Sequence, residues 1–165
     1  MEDKYAERLG KLMSNIHSLE FALRAFLLKF NEGTEPKVDL DKLQVGDTVP
    51  ANSFTSYASL GKLVDKFNGI VSTKCPSRRI DCAVVDLRDM LAHGRVAARQ
   101  SGSPLELLKF GKEKEGRVIV THKETLDSDW LASKVRFVLG EAEKVLAASN
   151  DFGQNIMPRT LPSPL

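Results

Sequence analysis

The sequence predicts a mainly α-helical protein: a four-helix up-and-down bundle with a small β-hairpin inserted before the last helix. Three observations lead there. Apolar residues recur at steps of three and four along several stretches, most clearly between 9 and 30. The period shortens to two near 105–122, around a charged turn that ends in Gly116. Finally, 165 residues with 42% hydrophobic and 28% charged side chains suit one ordinary globular domain.

The first helix carries a seam of Leu9, Leu12, Ile16, Leu19, Leu23, Phe26 and Phe30. A second apolar strip, Phe21, Ala25 and Leu28, lies on nearly the opposite side, so another helix or a second subunit is expected to cover it. Gly33 and Pro36 break this helix. Residues 31–52 read as a long connection, with a short strand or turn within "LQVGDTVP". Asn52 or Ser53 can cap a second helix with the stripe Tyr57, Leu60, Val64 and Phe67, closed by Gly69 as a left-handed cap. The third helix starts around "CPSRR", with Pro76 in its first turn, and buries Ile80, Val84, Leu87 and Leu91 until Gly94 stops or bends it. Cys75 and Cys82 lie on this helix as small hydrophobes. After a loop at 98–104 comes the hairpin, in which Leu108 and Phe110 alternate with polar residues and Val118, Ile119 and Val120 are β-branched. Asp127 or Ser128 caps the last helix, which turns Leu131, Val135, Val138, Ala142 and Val145 inward. The domain therefore spans 1–152, followed by a proline-rich tail at 153–165 expected to lack order.

Charge and motifs exclude several classes. A net charge of +2 names no partner. No apolar run is long enough for a membrane span or a secretory signal, so the expected address is cytoplasmic. The two cysteines lack zinc-site spacing, the histidines at 17, 93 and 122 are scattered, and phosphate-loop and dinucleotide glycine motifs are absent. No cofactor and no metal are expected.

What remains is "DLRDMLAHGR", residues 86–95. Arg88 and His93 stand with four residues between them, Asp89 follows the arginine, and a small residue, His and Gly end the run. This pattern resembles the HEPN superfamily of small helical domains, and the long first helix with "HSLEFALRAFL" agrees with it in architecture. The resemblance implies a metal-independent endoribonuclease, active as a homodimer with two motifs facing one cleft, in prokaryotic defence or stress response. His93 would activate the ribose 2′-hydroxyl or protonate the leaving oxygen. Arg88 would hold the scissile phosphate, and Asp89 would orient one of them. Glu20 or Asn15, flanking the first seam, would complete the site. An antitoxin or other protein partner would fit the same family.

Elementary chemistry suits those roles. Histidine titrates near neutrality, and arginine offers phosphate a planar, permanent charge. Residues 74–99 hold six cations against three acids, an excess that suits an RNA backbone, with Arg79, Arg95 and Arg99 as phosphate contacts. No aromatic platform accompanies the cluster, which argues against sequence-specific reading of single strands. Geometry objects to a one-chain site, because five residues of straight helix rotate through about 500° and leave Arg88 and His93 roughly 140° apart. Either the helix bends or ends near Gly94, or a second copy supplies the missing half. The strip on helix one is an independent reason to expect that copy, with His17 and Arg24 at its border. The alternatives are a non-catalytic HEPN-like module that binds nucleotide, RNA or protein, and an unrelated helical domain. In the latter, His93 merely complements the helix dipole and Arg88 pairs with Asp81 or Asp89.

Overall fold

The computed structural model describes residues 2–33, 42–98 and 104–154. Four helices, α1 (Glu2–Asn31), α2 (Leu60–Lys74), α3 (Ala83–His93) and α4 (Ser128–Gln154), are joined by three strands, β1 (Arg95–Ala98), β2 (Leu105–Phe110) and β3 (Val120–Leu126). The protein is thus mainly helical with a small antiparallel sheet, ordered β1-β2-β3. Arg99, the tail from 155 and part of the long connection (34–41) fall outside the described residues.

The chain forms two compact units, and α1 and α4 contribute to both. In the first unit (1–19 and 81–141), Leu12, Ile16 and Leu19 of α1 are buried, as are Val84, Leu87 and Met90 of α3. Leu107 and Leu126 of the sheet and Leu131 and Val138 of α4 complete its core. In the second unit (20–80 and 142–165), four phenylalanines form the centre. The Phe26 ring lies 4.8 Å from both Phe30 and Phe67 and 5.3 Å from Phe152. Such tilted and edge-on pairs add to the large apolar area each ring removes from water.

Several local expectations change. Tyr57 is fully exposed and precedes α2, whose cap is Ser59. The reason lies in the hydrogen bonds of residues 52–58. Asn52 accepts from the amides of Phe54 and Thr55 through its side chain, which folds a turn. Arg24 of α1 then donates to the carbonyls of Ser53 (3.3 Å), Ser56 (2.6 Å) and Ala58 (2.8 Å), acceptors that a helix would have used itself. Glu20 holds the same guanidinium at 2.7 Å. This segment also packs on part of the second apolar strip of α1. Phe54 meets Phe21 edge-on at 5.2 Å, and Leu28 is buried. Phe21 itself stays 51% exposed, so the strip is only partly covered within the chain.

Gly69 does not end α2, which runs on to Lys74 and buries Val71. Burial of Val71 outweighs the roughly 1 kcal/mol that an interior glycine costs a helix. The "CPSRR" stretch is a 3-10 turn (Pro76–Arg78), and Ile80, though buried, precedes α3. Cys75 and Cys82 therefore share no helix: the first is the half-buried cap of α2, the second the exposed residue before α3. The hairpin gains a third strand, β1, from the residues just after the motif. Val118 and Ile119 precede β3 and belong to the hairpin end, where Glu115 and Gly116 both take positive φ in a tight turn. Asp127 caps α4 as expected, accepting from the Trp130 amide at 2.7 Å.

Arg24→Ala removes a donor from three carbonyls of the 52–58 segment. Urea denaturation is expected to register a loss of about 1–3 kcal/mol, with faster amide exchange confined to residues around that turn.

Candidate functional site

Polar side chains satisfy the backbone just ahead of α3. The buried Asn68 side chain donates to the Ile80 carbonyl (2.9 Å) and accepts from the Ile80 amide (2.7 Å). The buried Glu141 of α4 accepts from the Asp81 amide at 3.0 Å. Asp81 in turn accepts from the Ala83 amide (2.9 Å), an Asx turn that opens the helix. Sequence reasoning missed both anchors, Asn68 and Glu141. The signal existed in Glu141, which stands three residues after Val138 and four before Val145, on the step of an apolar seam.

Glycine sets the other end. The Gly94 amide donates to the Met90 carbonyl at 2.8 Å and closes the helix at His93. Gly94 itself is extended (φ −71°, ψ 163°), so no left-handed conformation calls for glycine here. Space does. A Cβ at this position would stand 2.5 Å from the Met90 oxygen and 2.8 Å from Leu107 Cδ2. The missing side chain lets β2 close against the end of α3, and β1 begins at the next residue.

The motif is thereby displayed on one face-turning helix. Arg88 Nη1 donates to Asp89 Oδ1 at 3.0 Å, and both side chains are about two-fifths exposed (39% and 42%). An ion pair so open to water is screened and weakly stabilising. Among the described residues, Asp89 is the one hydrogen-bond partner of Arg88. His93 is exposed, and no group there hydrogen-bonds to its imidazole. Its carbonyl accepts from Arg95 Nη1 at 3.2 Å. No hydrogen bond joins Arg88 to His93, as the rotation along a regular helix requires.

The remaining candidates separate. Arg95 is exposed on β1, and Arg79 is exposed at the end of the 3-10 turn. Asn15 is half-buried on α1. Glu20 is engaged by Arg24 in the clamp described above. Arg99 lies outside the described residues. His17 and His122 are exposed. Cys75 is no activated thiol: burial, and then the Asp151 carboxylate, push its pKa up, against the smaller opposing pull of Arg78 and Lys74. Among the described residues, no three His, Cys, Asp or Glu side chains are gathered as a metal site would need. No described helix is long and apolar enough to cross a membrane.

Gly94→Ala should cost about 1–3 kcal/mol in thermal or urea unfolding, because a backbone oxygen and a packed leucine must both give way. Asp89→Asn, by contrast, should change stability by less than about 0.5 kcal/mol. No family model, no curated protein and no solved structure matches the chain.

Proposed function

We propose that this chain is a HEPN-like, metal-independent endoribonuclease of the cytoplasm, serving prokaryotic defence or stress response, with an antitoxin or similar protein as its natural restraint. Its four helices would form the up-and-down bundle of that family. One observation carries the reading. The guanidinium of Arg88, steadied by Asp89, and the imidazole of His93 are both open to solvent on a single eleven-residue helix that ends at the histidine.

The chemistry follows from those groups. The His93 imidazole takes the proton of a ribose 2′-hydroxyl. The freed oxygen attacks the adjacent phosphorus, and the bond to the 5′-oxygen breaks as that oxygen receives a proton from an imidazolium, the His93 of a second copy. Arg88 neutralises the charge gathering on the phosphoryl oxygens. The products are a 2′,3′-cyclic phosphate and a 5′-hydroxyl. Since the helix sets Arg88 and His93 about 140° apart, the arginine of one copy serves the histidine of another, and the working form is a homodimer.

A second reading has its own support. Arg88 is already paired with Asp89, and no described residue holds the His93 ring in one tautomer. A non-catalytic module that binds RNA, nucleotide or protein needs no such orientation.

Mixed RNA incubated with the protein in EDTA is expected to be cut to cyclic-phosphate ends. His93→Ala should slow cutting by about 10²–10⁴-fold, and Arg88→Ala should do comparable damage. Cutting that persists unchanged in His93→Ala removes the assigned site. Binding without cutting, weakened by Arg88→Ala, establishes the second reading instead.

A further inference from the structure

The three-stranded sheet has one packed face and one wet face. Leu107 and Leu126 are buried on the first. The register then sets the composition of the second. Arg95, Leu108 and Lys123 stand in one row across the three strands, because Leu108 pairs with both of its neighbours there. Two residues further along β2, about 7 Å away, Phe110 opposes Val120 on the same face. Phe110 is 41% exposed and Val120 51%. Glu106 is the one acid of this face; it approaches Lys123 at 3.8 Å, and the lysine stays half-exposed.

We infer that this face is a track for single-stranded RNA, with Phe110 stacking a base and Arg95 and Lys123 holding the flanking phosphates. The inference rests on the RNA reading of α3 and names the surface that would feed it. Continuity supports the assignment: Arg95 lies two residues beyond His93, and its guanidinium turns back to the His93 carbonyl at 3.2 Å. A strand laid across the sheet thus arrives at the end of α3 that carries His93. The chemistry matches one occupant. A polyanion with flat π-faces satisfies two cations and an aromatic ring together. A second copy of the face would instead set Arg95 and Lys123 against like charges. Aromatic stacking tolerates every base, so the track is sequence-tolerant. The cation cluster at 74–99 contains no aromatic residue; strand pairing brings Phe110 to it from β2.

The test uses the full chain carrying His93→Ala, in EDTA, so that a fluorescein-labelled single-stranded RNA stays intact during anisotropy titration. Adding Phe110→Ala should weaken binding about tenfold, and Phe110→Tyr should restore it to within about twofold. Arg95→Gln and Lys123→Gln should each lower the slope of log affinity against log salt by about 0.7. The same sequence as a duplex should bind more weakly. Absent binding, equal affinity for the duplex, or an unchanged affinity in Phe110→Ala overturns the track. The two ideas fail separately. Cleavage by the parent protein with no effect of Phe110→Ala sinks the track alone, while this binding pattern in a protein that never cleaves sinks the nuclease alone.

Discussion

The close approach between Gly94 and Leu107 is the constraint on which the motif region depends. A backbone without a Cβ allows a leucine of β2 to pack where a side chain would otherwise stand, and the Met90 carbonyl occupies the remaining space. Two consequences follow at once. The helix must stop at His93, so the imidazole sits in its last turn, exposed to solvent. The chain must also leave the helix extended, so Arg95–Ala98 enters the sheet instead of wandering off as a loop. One missing methyl group thus joins a helix-borne histidine to a strand-borne arginine.

Polar side chains satisfy the backbone ahead of α3. Asn68 satisfies both backbone groups of Ile80, and Glu141 satisfies the amide of Asp81. Buried polar side chains cost free energy unless paired, and here the pairing is with backbone groups that would otherwise lack partners. The clamp built on Arg24 obeys the same rule, since its guanidinium replaces the helical donors that residues 53–58 never acquire. The same segment packs Phe54 edge-on against Phe21, which nevertheless stays half-exposed on the second strip of α1.

Electrostatically the motif is modest. Arg88 and Asp89 share a screened contact, and His93 has no hydrogen-bonded neighbour among the described residues to fix its ring. Such a site is not preorganised in a single chain, and any strong orientation of the imidazole would come from substrate or from another copy. The wet face of the sheet supplies a complementary element, cations and an aromatic ring at fixed strand spacing, next to the helix end.

Sequence by itself determined the helices that bury a long apolar stripe. The seam of α1, the cap of α4 at Asp127 and the antiparallel pair β2–β3 were all legible, because three-four and two-residue periods report directly which side of an element leaves water. The Arg88–His93 spacing and its angular consequence were legible for the same reason. Tertiary structure alone decided the rest. Arg24 took the carbonyls that would have made residues 53–58 helical, burial of Val71 carried α2 through Gly69, and pairing with β2 made a strand of the weakly β-forming "RVAA". Each outcome was set by a partner distant in the chain. Local propensities differ by a kcal/mol or less per residue, and one long-range hydrogen-bond cluster or buried side chain outweighs them.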